Sequence, residues 1–173
     1  MESRLKVLGH PVHPMLVMFP VALFVTGVLF DLADALGGSA VLGEVAYWNI
    51  VVGLVVGILA AAAGLFDLLA IPAGTRAKRV GIMHALVNTG VLLLFAGVWA
   101  VRMSAAAGHS AGGGLLAIEL VALAGAAVGA WFGGELVDRL GVGVDPDAGL
   151  NAPSSLRPTG PPNSKLGQMG DAR

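Results

Sequence analysis

Four long apolar stretches, interrupted by few charged residues, are the feature that most limits what this chain of 173 residues can fold into. They cover about 14–36, 45–71, 80–101 and 112–134. Because a helix rises ~1.5 Å per residue, ~20 apolar residues span the ~30 Å hydrocarbon core of a bilayer. Membrane β-strands would instead be ~10-residue segments that alternate apolar and polar residues. The sequence therefore predicts an all-α polytopic membrane protein, a compact bundle of four transmembrane helices.

Composition restricts the possible functions further. Hydrophobic residues make up 56% of the chain and charged residues 12%, and a net charge of -1 excludes a globally basic nucleic-acid binder. The chain has no cysteine, so disulfides, iron–sulfur ligation and thiolate metal sites are excluded, and a metal would have to use His, carboxylate or Met. No GxSxG, HExxH, GxGxxG or Walker-type motif is present, which favours a protein that is not an enzyme.

The basic residues are distributed unequally over the two ends of the predicted bundle. Only Arg102 lies at the end away from the termini, whereas six basic residues lie at the other end: Arg4, Lys6, Arg76, Lys78, Arg79 and Arg139. The positive-inside rule then places both termini and the central loop in the cytoplasm. The first apolar stretch lacks a small-residue cleavage motif and is predicted to be a retained helix. We expect a multi-pass protein of the cytoplasmic membrane.

Two compositional features suggest domain organisation and partners. Residues 1–140 are predicted to form the transmembrane domain, and 141–173, rich in Pro, Ser, Asn and Gly, a disordered cytoplasmic tail. Small residues also recur at helical spacing in the second and fourth helices: Gly53, Gly57, Ala60 and Gly64, and Gly125, Gly129 and Gly133. Such stripes are typical of close helix packing, within the bundle or in a homo-oligomer.

An ionisable residue within a bilayer is a functional hypothesis by default. Judged by distance from the helix ends, five such residues share one inner layer near the cytoplasmic face: His10, His13, Asp67, His84 and Glu135. Imidazoles and a carboxylate can bind a Cu, Fe or Zn ion, and His can ligate haem iron. The candidate metal ligands are therefore His10, His13, Asp67 and His84. Alternatively, the histidines bond lipid headgroups, and Asp67, His84 and the i+4 residue Asn88 form a network that only sets helix register.

A second polar set lies near the predicted outer face and contains Asp31, Asp34, Asn49, Arg102 and Glu119. We expect Arg102 to pair with Asp31 or Glu119. A proton path would have to join the two layers, and the sequence places little between them except a few neutral polar residues. His109 is predicted to be a solvated loop residue.

Several of these motifs together resemble a bacterial family of four-helix membrane proteins of unknown function. They are Gly-His-Pro-Val-His-Pro-Met-Leu-Val at 9–17, Phe19-Pro20, Asp67, His84 with Asn88, Gly-Gly-Glu-Leu-Val at 133–137 and Gly-Val-Gly-Val at 141–144. The resemblance spans about residues 5–145. Some members look to be fused to, or encoded beside, Rieske-type or cytochrome-like proteins, which implies a redox setting in the bacterial inner membrane and a binding role for His10, His13, Asp67 and His84.

This chain departs from the family pattern at two positions. A His often stands where the chain has Met18, and another where it has Leu140. If those residues are ligands in relatives, either this chain has lost the cofactor or Met18 is a soft substitute ligand. The cofactor-binding residues implied are His13, His84 and Met18.

Three functional hypotheses result. The first is an electron-transfer component, or an accessory of a membrane redox complex, that holds haem b or a Cu, Fe or Zn ion in its inner polar layer. The second is a non-catalytic structural or assembly subunit of a membrane complex. The third is a small permease or proton-linked transporter. In each case the lipid bilayer is a partner and nucleic acid is not.

Overall fold

A computed structural model describes residues 1–39, 41–104 and 109–156. It contains four long helices: α1 (Val12–Ala35), α2 (Val41–Ala70), α3 (Arg76–Met103) and α4 (Gly113–Gly134). A π-helical turn, Glu135–Arg139, continues α4. All four helices are long and apolar enough to cross a membrane, which confirms the predicted all-α architecture. Of the predicted tail, 157–173 lies outside the described residues, and its disorder stays a prediction.

Helix α3 begins before the apolar stretch that predicted it. Thr75 is its N-cap and accepts a hydrogen bond on its side-chain oxygen from the backbone N–H of Lys78 at 3.0 Å. Capping of this kind satisfies an otherwise unpaired helix-terminal donor. The basic residues that hydropathy assigns to a loop therefore form the first turn of the helix.

The chain passes back and forth, so that the N-terminal segment, the α2–α3 connection and the end of α4 lie at one end of the bundle, here called the terminal end. The α1–α2 and α3–α4 connections lie at the other, the distal end. Each helix packs on its sequence neighbours, and α1 also contacts α4. The centre is apolar: the Phe24 and Phe95 rings stack with centroids 4.0 Å apart, and Ile50 and Ala122 are fully buried beside them. Every helix thus contributes to one core.

The outer surface of the bundle is apolar as well. Large hydrophobic side chains are exposed along all four helices, among them Phe19, Val55, Leu86, Leu93 and Trp131. A water-soluble monomer rarely exposes contiguous apolar surface on this scale. These side chains face the lipid bilayer.

The small-residue stripes pack inside the bundle, where most of them make room for side chains of other helices. A Cβ atom on Gly53 would lie 2.7 Å from the Phe24 ring, and one on Gly57 would lie 2.7 Å from Leu92. The glycines therefore permit large side chains to fill the centre without forcing the helices apart. Homo-oligomerisation through these stripes stays a prediction.

The N-terminal segment folds over the terminal end. Strands Lys6–Val7 (β1) and His10–Pro11 (β2) form a small antiparallel hairpin, and both turn residues, Leu8 (φ 51°) and Gly9 (φ 84°), have positive φ, as a type I′ turn requires. The amino group of Met1 donates to the carbonyl of Gly141 at 2.8 Å. The N-terminal segment is therefore tied to the chain that follows the π-helical turn.

Candidate functional site

Two imidazoles face each other inside the terminal half of the bundle. His13 lies near the start of α1 and His84 in α3, and their ring centroids are 6.2 Å apart with an interplanar angle of 84°. His13 Nδ1 is 2.7 Å from the carbonyl oxygen of Ala60, and His84 Nδ1 is 2.9 Å from that of Gly129. All four helices therefore meet at these two residues, called the His pair below.

The hydrogen bonds of the His pair determine its chemistry. A backbone carbonyl can only accept, so each Nδ1 must carry the proton and donate it. In a neutral imidazole the other nitrogen, Nε2, then keeps its lone pair. This is the arrangement of metal-binding histidines, whose second nitrogen is typically held by a carbonyl or a carboxylate.

Glycines on the facing helices make room for both rings. A Cβ on Gly64 would lie 2.8 Å from His13 Nδ1, and a Cβ on Gly133 would lie 3.3 Å from His84 Cε1. On α4, Gly129 leaves room for the side chain of Asn88. The Asn88 amide also donates a hydrogen bond to the backbone carbonyl of His84 at 2.8 Å. The glycine spacing was visible in the sequence, but its role in seating the imidazoles was not.

An apolar cavity of about 300 Å³ adjoins His13, one residue of the His pair. Its only polar side chains, those of His13 and Asn88, lie at the part nearer the termini, and the rest of the lining is apolar and comes from all four helices. Its volume falls at the lower end of the ~300–1,000 Å³ common for small-molecule sites. The cavity therefore offers an apolar ligand space with two nitrogen-bearing side chains at one end.

Asp67 does not join the His pair. Both of its carboxylate oxygens accept from Ser3 Oγ at 2.8 Å, and Oδ1 also accepts from the backbone N–H of Arg4 at 2.7 Å. Of the predicted network of Asp67, His84 and Asn88, only the contact between His84 and Asn88 is therefore present. The carboxylate instead ties the N-terminal segment to α2, a role that no pattern in the sequence indicated.

The other predicted ligands lie apart from the His pair. His10 is exposed on β2, with Nε2 3.4 Å from Ser155 Oγ. The Met18 side chain is 61% exposed on the outside of α1. Glu135, which was predicted to belong to the inner polar layer but not to be a ligand, forms an ion pair with Arg76. Across residues 1–39, 41–104 and 109–156, no three His, Cys, Asp or Glu side chains come together in a group that could hold a metal ion.

A second polar site, the distal cluster of Asp31, Arg102 and Glu119, lies at the distal end. The Arg102 guanidinium donates to both Asp31 oxygens, at 2.6 and 3.0 Å, and to Glu119 Oε1 at 3.1 Å. It also donates to the carbonyls of Gly43 at 2.8 Å and His109 at 2.6 Å. The predicted pairing of Arg102 is confirmed, and it involves both acids at once. The three side chains are completely buried between the helices.

His109 was predicted to be solvated but makes specific contacts. Its Nδ1 lies 2.7 Å from Glu44 Oε2, and its ring stacks on Tyr47 with centroids 4.0 Å apart. These contacts hold the carbonyl of His109 over Arg102. Glu44 and Tyr47, which His109 contacts, are i,i+3 neighbours on α2. This spacing is the only feature of the sequence that indicates the contact.

Four apolar helices that meet at two internal polar sites define a multi-pass membrane protein. The chain belongs to the family described as predicted membrane protein (DUF2231), which it matches over residues 9–146. This membership confirms the resemblance to a membrane protein family of unknown function. No curated protein and no solved structure matches the chain.

Proposed function

We propose that this protein is an electron-transfer component, or an accessory subunit of a redox complex, of the bacterial cytoplasmic membrane, and that it binds haem b through His13 and His84. The proposal depends on one observation, the 6.2 Å separation of the two ring centroids. Two imidazoles that ligate one metal through Nε2 at about 2 Å have centroids about 6 Å apart. The spacing of the His pair would therefore allow His13 and His84 to hold one metal between them.

The number of ligands favours haem over a bare ion. Zinc in a structural site takes four protein ligands, and among the described residues the His pair has no third His, Cys, Asp or Glu beside it. Haem iron needs only axial ligands from the protein, because the macrocycle supplies the equatorial nitrogens. His13 and His84 are sufficient for that purpose. A single Cu, Fe or Zn ion at the His pair is the less supported form of the proposal.

The surroundings of the His pair suit an apolar redox group. The adjoining cavity is lined largely by small side chains on the α2 and α4 sides, including Gly57, Ala60, Ala126 and Ala130. An apolar, water-excluding shell is one of the protein's means of setting a cofactor's reduction potential. When bound, haem would supply one-electron chemistry, while this chain would hold and orient the iron through two imidazoles fixed at Nδ1.

The test is a reduced-minus-oxidised visible spectrum of the detergent-purified protein, with haem extraction from the same sample. We expect a Soret band that shifts on reduction and disappears in His13→Ala and in His84→Ala. Met18→Leu and His10→Ala are the matched controls, because both side chains are exposed and should leave the spectrum unchanged. A colourless preparation from haem-replete cells would refute the haem proposal, and loss of the band in Met18→Leu would assign a ligand that the His pair does not include.

A structural or assembly subunit is the second candidate, and the hydrogen bonds of the terminal half favour it. Both Nδ1 atoms of the His pair and both oxygens of Asp67 are already engaged by the chain itself. This function predicts a metal-free protein that co-purifies with a larger membrane complex. His84→Ala would then lower Tm without removing any chromophore. Transport has no comparable support, since the cavity between the two polar sites is lined mainly by apolar side chains.

A further inference from the structure

We propose that Glu119 is a proton-binding site inside the bundle, where its side chain is a neutral carboxylic acid beside the Asp31–Arg102 ion pair. This inference concerns the distal cluster alone and does not depend on haem at the His pair. The ligand is a proton, and the chain's own geometry specifies which carboxyl group holds it.

The first argument is the balance of charge. One guanidinium serves two carboxyl groups, and the exposed fractions of Asp31, Arg102 and Glu119 are 1%, 1% and 0%. If both acids were ionised, the cluster would carry an uncompensated negative charge inside the bundle. Removing a charge from water without a partner costs several kcal/mol even after relaxation, so such groups are neutralised instead. One carboxyl group of the cluster must therefore hold a proton.

The geometry identifies Glu119 as that group. Asp31 receives two hydrogen bonds from Arg102 in the bidentate arrangement that carboxylates prefer, at 2.6 and 3.0 Å. Glu119 receives one, on Oε1, at 3.1 Å. Its Oε2 is buried and has no hydrogen-bond partner among the described residues. An unpaired oxygen is far less costly on a neutral acid than on a carboxylate, so the proton belongs on Glu119.

The neighbouring groups supply no second positive charge. Arg102 is the only Lys or Arg at the distal end among the described residues. On α1, Asp34 adds another acid, and on α2 Glu44 is exposed and bonded to His109 in the α3–α4 connection. Tyr47 of α2 lies with its ring 5.9 Å from the Arg102 guanidinium and adds no charge while its hydroxyl is protonated. These groups favour the neutral form of Glu119 over the ionised one.

The experiment is infrared spectroscopy of the full chain in liposomes at neutral pH. A protonated carboxylic acid has a C=O stretch that is absent from carboxylates and moves on exchange into D₂O. We expect one such band, lost in Glu119→Gln. It should also be lost in Asp31→Asn, because Glu119 then becomes the only counter-ion of Arg102. Asp34→Asn, a half-buried acid on the same helix, is the matched control and should keep the band, as should His84→Ala.

Isotope labelling tests the assignment without a variant. Protein grown with carboxyl-¹³C glutamate should show the band at lower frequency, and protein grown with labelled aspartate should not. No band at neutral pH would overturn the proposal, since both carboxyl groups of the cluster would then be ionised. A band that responds to labelled aspartate, or that survives Glu119→Gln, would overturn it by placing the proton elsewhere.

Discussion

The His pair and the distal cluster bury polar groups between the same four helices, but in opposite ways. At the His pair, two imidazoles are satisfied by backbone carbonyls of α2 and α4. At the distal cluster, the acids on α1 and α4 are satisfied by a guanidinium on α3, which is charged at any relevant pH. The first arrangement relies on backbone acceptors, and the second on a guanidinium beside carboxyl groups.

This difference suits the His pair to binding a ligand and the distal cluster to holding the helices together. The imidazoles keep a lone pair each, and His13 borders an apolar cavity, so this site can accept a further group. Arg102 instead donates hydrogen bonds to Asp31, Glu119 and two backbone carbonyls. The unpaired atom among the described residues of the cluster is one carboxyl oxygen of Glu119. We therefore expect loss of Arg102, which joins the distal cluster, to affect stability most, and substitutions at the His pair to affect binding most.

Arg102→Met is the largest expected effect. It would leave Asp31 buried without its counter-ion, and breaking a buried ion pair in this way costs about 3–5 kcal/mol. The free energy of unfolding in detergent, from chemical denaturation, measures it. Arg79→Met is the control because its side chain is exposed at the start of α3, and it should change stability by at most about 0.5 kcal/mol. Equal stability of the two variants would show that the buried ion pair of Arg102 contributes no more to stability than an exposed cation.

Gly64→Ala should have the next largest effect. The added methyl group would lie 2.8 Å from His13 Nδ1, so the ring must move and its bond to Ala60 must weaken. Overpacking of this kind costs about 1–3 kcal/mol. Gly90→Ala is the matched control in α3, where a Cβ meets nothing within 4 Å. If thermal unfolding shows the same Tm for both variants, the His13 ring is not held tightly against Gly64.

Asp67→Asn should be milder. It weakens the bonds from Ser3 Oγ and the Arg4 N–H, each worth about 0.5–1.5 kcal/mol. The consequence is local, since these bonds hold the N-terminal segment on α2. Hydrogen exchange should therefore increase in residues 1–11 and not in the helices. Asp138→Asn, an exposed acid near the same end, should leave the exchange of that segment unchanged.

Glu119→Gln should have the smallest effect on stability. A neutral amide closely replaces a neutral acid and can still accept from Arg102, so the cost should stay below about 1 kcal/mol. Asp31→Asn replaces a charge-assisted bidentate pair and should cost more, about 1.5–3 kcal/mol. Denaturation of both variants at neutral pH measures the difference. The reverse order would mean that Glu119, not Asp31, is the ion.

Much of the fold could be predicted, because transmembrane segments depend on local hydropathy. The existence and type of all four helices follow from apolar runs alone. The pairing of Arg102 with the acids could be predicted too, since a lone cation and few acids share one membrane level. Helix ends were less predictable: α3 begins within a basic segment because Thr75 caps it.

For the candidate site, the sequence predicts the depth of the residues in the membrane but not the contacts between them. Sequence distance from a helix end gives the depth of His13, Asp67 and His84, but not the direction in which each side chain points. That direction depends on how each helix is rotated about its axis, and a rotation of one residue position turns a side chain by about 100°. Asp67 was therefore expected beside His84, whereas it bonds the N-terminal segment.

The apolar segments alone establish a four-helix membrane protein with polar residues at two depths, because the cost of placing polar atoms in a bilayer acts on each segment separately. The folded structure selects which of those residues meet. It brought His13 to His84 and left His10 and Met18 outside, and it enclosed Asp31, Arg102 and Glu119 completely. The reason is that these contacts join different helices, and side-chain packing among all four determines their rotation and spacing.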